Sequence, residues 1–366
     1  MFNPQRLVIA RERRAMTKKG LAELIGVTTN TVHRYEGGEI EPSNESLESI
    51  AAALDFPIAF FAGADVDQPR RENASFRGLA SKTARVMDAA LQSGTLAYLF
   101  DDWVSTIYGR VELDLPQFEP EMSPQVAAKL LRQHWRLGDK PIENMVHLLE
   151  AKGIRVFSLA ENTREIDAFS VWRNDIPYVF LNRFKSSERS RFDAAHELCH
   201  LCLHKHGGAA AIHKNSPIEK DAQEFAGAFL MPDADLRAVV KSSIYSVEDL
   251  LPYKKRWRVA AVALAYRLRE AGMIGDARVN SLYVEMSRRG WLKNEPNGMP
   301  REQSHYWQQV FDDLRNSGIT KAAITAATGI PGRELESLLF GLANMLSIDG
   351  DGARTPRRKV DLRVIK

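Results

Sequence analysis

The chain has 366 residues, 44% of them hydrophobic and 27% charged, which describes an ordinary soluble protein of two or three domains rather than a fibrous or low-complexity one. No run approaches the roughly 18–20 consecutive apolar residues of a membrane span. The opening MFNPQRLVIARERR has too short an apolar stretch for a secretory signal, so the protein is expected in the cytoplasm, with no membrane partner. The net charge of +3 does not by itself advertise nucleic-acid binding, and two cysteines, Cys199 and Cys202, exclude a disulfide framework.

The charge is unevenly placed. Residues 1–35 hold seven Lys/Arg against two Glu, and residues 36–55 hold five Glu and one Asp with no Lys or Arg. A small domain polarised in this way can turn a basic face to phosphates. Within it, Met16–Gly38 has the grammar of two short helices around a tight turn. Thr17 caps a helix carrying Leu21, Ala22 and Leu24. Gly26 supplies the positive φ of the turn. Thr28 caps a second helix, Thr29–Tyr35, with Val32 and Tyr35 inward and Thr29, Asn30, His33 and Arg34 outward. A further helix, Ser43–Leu54, buries Leu47, Ile50, Ala51 and Leu54.

These sixty or so residues resemble the Xre/Cro-type helix-turn-helix family. Ala22 matches the small residue where the helices cross, Gly26 the turn, Val27 and Val32 the core positions, and Tyr35-Glu36-Gly37-Gly38 the tail. The resemblance implies an all-α domain over residues 1–62 that places its second helix in the major groove of double-stranded DNA. Lys18, Thr28, Thr29, Asn30, His33 and Arg34 would then form the interface. Arg34 suits guanine and Asn30 adenine, while Lys18, Lys19, Arg6, Arg11, Arg13 and Arg14 would sit on phosphates. Lys18 stands where this family often has Gln, so an ammonium replaces the usual amide there. Modules of this kind read paired half-sites, so a homodimer is expected.

Ala64–Asn73 is polar and contains Pro69, so it reads as a linker. Residues 74–115 follow with helical spacing of Leu79, Ala84, Val86, Met87, Ala90, Leu91, Leu96, Leu99 and Trp103, which makes 63–120 a helical linking region. A new unit opens at Ser123, whose helix has Pro124 at its first position, and Pro141–Ala151 forms a second helix. The period then changes. Ile154–Phe157, Phe169–Trp172 and Tyr178–Leu181 are short and β-rich, implying a small sheet, and helices resume near Ser187. The order helices, strands, helices predicts an α+β unit within a mainly α chain.

The strongest local signal is His196-Glu197-Leu198-Cys199-His200. Residues four apart share a helix face, so the two imidazoles can hold one Zn²⁺ while Glu197 takes a proton from water and passes it on to a leaving amine. Apolar neighbours, a preceding sheet and an available third ligand add weight to the motif. That ligand is Glu219, with Asp221 the competitor on the same stretch and Glu224 turned elsewhere. Gln223 is placed to accept a hydrogen bond from the distal nitrogen of His196 or His200. Two His, one Glu and a water make a zinc site of the catalytic type.

The surrounding 150 residues resemble the ImmA/IrrE family of metallopeptidases. The resemblance lies in Trp135-Arg136-Leu137-Gly138 with Pro141-Ile142, Leu148–Val156, Asp167-Ala168-Phe169-Ser170, Phe225-Ala226 with Leu230-Met231-Pro232, and Trp257–Leu268. It implies a zincin-like α+β domain over residues 121–275 and a zinc-dependent endopeptidase with a narrow protein target. That target is typically a repressor whose cleavage releases a gene set, as in a stress response. Tyr178 and the histidines after the motif (His204, His206, His213) are candidates for the oxyanion partner, though they also read as ordinary core or surface residues. Cys199 stands where the family usually has Gly. With Cys202 it reads either as a redox-sensitive thiol pair or as two small buried side chains.

Residues 276–366 form a helical C-terminal region with a basic tail. Ile319–Leu342 reads as two short helices around Gly329-Ile330-Pro331, with a packing role, because Glu334 and Glu336 suit a groove reader poorly. The tail 351–366, with six Lys/Arg and two Asp, is either a nucleic-acid-touching arm or a solvated end. Two functions fit the whole chain. One is a DNA-binding regulator that cleaves a specific protein. The other is a non-proteolytic repressor, the antitoxin of a toxin–antitoxin pair, whose zinc domain binds the cognate toxin or senses a ligand.

Overall fold

The computed structural model describes residues 1–71, 74–76, 84–160, 163, 165–204, 216–241 and 243–343. The chain opens with α1 (Pro4–Arg13), α2 (Lys18–Ile25), α3 (Thr29–Glu36) and α4 (Asn44–Leu54). Asn3, Thr17, Thr28 and Ser43 each cap the helix that follows by accepting a backbone N–H, which satisfies donors that a helix start leaves open. Between α2 and α3 the chain turns at Gly26, φ 71°.

Strand β1 (Ala74–Phe76) and the long helix α5 (Ala84–Tyr108) come next. The helical spacing predicted from residue 74 is observed over Ala84–Tyr108, residues 74–76 form a strand instead, and Leu79 lies outside the described residues. Most of α5 is buried on several faces, including Leu91, Leu96, Tyr98, Phe100 and Val104. Gly94 lets Pro69 lie directly against it; a Cβ there would fall 2.6 Å from the proline ring.

The third stretch holds α6 (Pro124–His134), α7 (Met145–Ala151), β2 (Arg155–Ser158), β3 (Ala168–Arg173) and β4 (Ile176–Leu181). Helix α7 starts later than Pro141 because Asn144 caps it, accepting from the His147 N–H. Asn174 and Asp175 both adopt positive φ, as a two-residue hairpin turn requires, and so join β3 to β4. The sheet runs β1-β3-β4-β2. β1 and β4 are antiparallel to β3, and β2 is parallel to β4.

The remaining helices are α8 (Ser187–Leu203), α9 (Pro217–Leu230), α10 (Asp233–Val239), α11 (Leu251–Trp257), α12 (Ala261–Glu270), α13 (Asp276–Arg288), α14 (His305–Asn316), α15 (Lys321–Thr328) and α16 (Gly332–Leu339). The observed class is mainly α with a small α+β domain and an all-α helix-turn-helix start. Among the described residues no helix is long and apolar enough to cross a membrane.

The sheet is a wall between two cores. Phe157, Phe169, Tyr178 and Phe180 face one core, together with the first four helices, α5 and α14–α16. Val156, Ala168, Val179 and Leu181 face the other, together with α6–α9 and α11–α12. Side chains alternate along a strand, so burial on both faces produces the continuous apolar runs seen in the sequence. Each fully buried large apolar side chain contributes about 1.5–3 kcal/mol.

Candidate metal centre and nucleic-acid interface

Ser186 caps α8, accepting from the Arg189 N–H at 3.3 Å, and the helix then runs through the core. Nearly all of its residues from Ser187 to Leu203 are buried, as expected for a helix covered on every side. Its buried charges are matched: Arg191 pairs with Glu302, and Glu188 lies 3.6 Å from the Lys254 ammonium. His196 and His200, four residues apart, emerge on the face toward α9.

Helix α9 begins with Ser216 as cap and Pro217 at its first position. Ser216-Pro217-Ile218-Glu219 has the form of a capping box, in which the glutamate would fold back on the cap. Instead the Glu219 carboxylate turns to α8. Its Oε2 is 3.4 Å from His196 Nε2 and its Oε1 3.2 Å from His200 Nε2. The two Nε2 atoms are 3.1 Å apart. Ala222, fully buried one turn on, keeps the helices close.

Burial alone would raise the pKa of Glu219, but hydrogen bonds and charge from His196 and His200 outweigh it and hold the group at about 2. A tetrahedron with bonds of about 2.0–2.2 Å to nitrogen and oxygen has edges of about 3.3–3.6 Å. The observed spacings are close to those edges. Two imidazole nitrogens and one carboxylate oxygen, clustered within 4.8 Å and all buried, are a donor set that suits Zn²⁺.

Glu197, next to His196 on α8, is fully buried, and its Oε2 accepts a hydrogen bond from the Ser170 hydroxyl on β3 at 2.7 Å. Ser170 was not singled out as a site residue from sequence. The signal was present in the strand alternation, which sends Ala168 and Ser170 to the α8 side and Phe169 to the other.

Two expectations about this site are corrected. Gln223 is exposed and lines a surface cavity of about 680 Å³. The buried stripe of α9 runs Glu219, Ala222, Phe225, Ala226 and Phe229, which rotates Gln223 outward. The neighbour of His200 Nδ1 is instead His204 Nδ1, at 3.3 Å. Burial first, and then the adjacent His200, lower the pKa of His204 to about 4. Tyr178 is not at the site. It faces the opposite core, and its hydroxyl donates to Asp101 on α5 at 2.8 Å.

Asp221 is outside the cluster, and Glu224 instead accepts from the Gln125 amide at 2.6 Å. Cys199 and Cys202 are free, fully buried thiols whose pKa burial pushes up. His206, His213 and the basic tail lie outside the described residues.

At the N-terminal end, Thr28, Thr29, Asn30, His33 and Arg34 are exposed along one face of α3. Thr28 spends its hydroxyl on the cap, accepting from the Thr31 N–H at 3.1 Å. Arg34 Nε lies 3.3 Å from Glu39. The Lys18 amine is 3.1 Å from Glu36 and 3.5 Å from His33 Nδ1.

The arginines of α1 are not free for phosphates. Arg6, Arg11 and Arg13 are buried, and Arg14 is largely covered. Arg6 donates to the Ala64 carbonyl, Arg11 pairs with Glu36, and Arg13 and Arg14 both meet Glu334 on α16. Arg11, Arg13 and Arg14 are thus paired with carboxylates inside the protein, and Arg6 with a backbone carbonyl.

Residues 7–61 match the family model for a helix-turn-helix, and residues 149–269 match that of the IrrE N-terminal-like domain of peptidase family M78. Searches of curated proteins and of solved structures return no match. The chain therefore joins a DNA-binding helix-turn-helix domain to an IrrE N-terminal-like, metallopeptidase-type domain.

Proposed function

We propose that the chain is a transcriptional regulator whose IrrE-like domain is a zinc-dependent endopeptidase, cleaving one specific protein, a repressor, to control gene expression. The observation that carries this reading is the convergence of His196, His200 and Glu219, with the buried Glu197 following His196 on the same helix. In this reading residues 1–62 bind operator DNA as a homodimer through Lys18, Thr28, Thr29, Asn30, His33 and Arg34. Residues 121–275 form the peptidase, and the described residues of 63–120 and 276–343 brace the two.

His196, His200 and Glu219 hold Zn²⁺, which when bound supplies the Lewis acidity that makes water a nucleophile at neutral pH. Glu197 is the general base. It removes a proton from water and returns it to the leaving amine of the cleaved peptide. Ser170 is a positioning residue, and its hydroxyl keeps the Glu197 carboxylate turned toward β3.

The test compares new protein N-termini in host cells expressing the wild type or Glu197→Gln, with zinc measured in both purified proteins. A cleaved regulator seen only with wild type, and a loss of about 10²–10⁴-fold in rate for the variant, is expected with zinc retained. Identical N-termini with zinc still bound would sink the peptidase reading. The chain would then be a DNA-binding repressor or antitoxin that uses the metal domain as sensor or toxin-binding scaffold.

A further inference from the structure

The site is closed. His196 and Glu197 have no exposed surface, and Glu219 and His200 only 2% and 4%. A polypeptide substrate reaching it must bring its backbone past the nearest strand, and that strand is β3, since Ser170 touches Glu197. Strands commonly take a peptide by adding it to their open edge, where backbone hydrogen bonds supply affinity independent of sequence.

In this chain that edge is taken. β1 pairs antiparallel to β3 in the register Ala74–Val171, Ser75–Ser170 and Phe76–Phe169, so residue 75 stands directly beside the residue that holds Glu197. Without β1, β3 would present an open row of N–H and C=O groups next to the metal cluster.

What precedes β1 is tied to the helix-turn-helix domain and to α5. Arg6 Nε donates to Ala64 O at 2.8 Å, Gln5 bonds to Val66 through both amide groups, and Gln92 donates to Gln68 at 3.0 Å. Arg71 pairs with Asp88 on α5. The strand is therefore delivered by the segment that joins the DNA-binding domain to the peptidase domain, at a reach set by where α1 and α5 hold it.

We propose that residues 74–76 are a resident occupant of the peptide-binding edge of this metal site: the chain's own interdomain segment fills the place of an extended polypeptide substrate, which enters only when β1 is withdrawn. The inference rests on the peptidase reading above. It adds that the occupant comes from this chain and that moving the helix-turn-helix domain changes access to the site.

The experiment uses the full-length, zinc-loaded protein and a fluorescein-labelled tetra-alanine hydroxamate. This is an extended peptide with a metal-chelating end, and its binding is followed by fluorescence anisotropy, so turnover is not needed. Ser75→Pro breaks the pairing, because proline lacks the N–H and fits poorly inside a ladder. Ala74→Cys with Val171→Cys locks it. Those two residues are cross-strand partners buried in the core on the sheet face away from Glu197.

Ser75→Pro is expected to bind the probe at least tenfold more tightly than wild type. The oxidised cysteine pair is expected to bind at least tenfold more weakly than the same protein after phosphine reduction. In wild type, saturating probe should speed hydrogen exchange at the amides of residues 74–76. If Ser75→Pro fails to fold, the reversible lock alone decides. Equal probe affinity in the locked and reduced forms overturns the occupant while leaving the peptidase reading standing. No binding in any form, with zinc still present by mass spectrometry, overturns both.

Discussion

Glu150 shows how one buried carboxyl couples the domains to pH. It lies at the end of α7, and it accepts from the Ser304 hydroxyl and from the backbone N–H groups of His305 and Tyr306 at the start of α14. Burial raises its pKa from 4.5 to about 7, against the lowering effect of those hydrogen bonds. A carboxyl whose folded pKa is raised favours the folded state when protonated. Its contribution is therefore fully present below about pH 4.5 and is lost as pH rises toward 7, a difference of about 3 kcal/mol. Urea unfolding across that window should show this loss in wild type and a flat difference in Glu150→Gln; parallel profiles would refute the assignment. Arg34 is a contrasting case, exposed and only loosely paired with Glu39. Replacing it with Ala should cost about tenfold to a hundredfold in affinity for a selected operator duplex without moving the melting temperature. An equal loss on unrelated DNA would instead assign it to the phosphate backbone.

At the scale of elements, the helix-turn-helix depends on one backbone position. Gly26 ends α2 at φ 71°, and a Cβ there would meet nothing within 4 Å. Gly26→Ala therefore tests conformation alone, and a loss of about 1–2 kcal/mol is expected in urea unfolding; no change would mean that the turn relaxes freely. Much of this level was readable in the sequence. The spans of α2, α3 and α4, the three strands from Arg155 to Leu181 and the start of α8 lie within a few residues of expectation, because caps and apolar period act locally. The early start assigned to the helix after residue 74 was wrong for a physical reason. Ala74–Phe76 is held extended by pairing with β3, a partner nearly a hundred residues away that no local pattern reveals.

For the whole molecule, the C-terminal helices bind the two domains together. Glu334, 2% exposed on α16, meets both Arg13 of α1 and Arg14, the residue that caps its end. Farther along, the Ser158 hydroxyl donates to the Phe340 carbonyl at 2.6 Å, and Arg183 donates to the Gly341 carbonyl at 2.8 Å. Removing one partner of a buried ion pair leaves an uncompensated charge, so Glu334→Ala should destabilise the protein by about 3–5 kcal/mol. Adding Arg13→Met should restore part of that. A loss below 1 kcal/mol in calorimetry would show that α16 is not needed to hold the helix-turn-helix domain. Glu334 was expected to pack rather than read DNA. Its partners were not, because they lie some 320 residues earlier in the chain.

What the sequence determined by itself is what short-range chemistry encodes: capped helices, a glycine turn, two histidines one helical turn apart with a glutamate between them, and strands rich in β-branched and aromatic residues. Tertiary structure decided the rest. It brought Glu219, named from sequence as the third ligand, against the two histidines, and it set Ser170 beside Glu197. It moved Gln223 to the surface and Tyr178 to the far side of the sheet. It also buried the α1 arginines, pairing Arg11 with Glu36, Arg13 with Glu334 and Arg6 with the Ala64 carbonyl. Each of these outcomes depends on which face of an element meets which neighbour, and a periodic pattern specifies the face but not the neighbour.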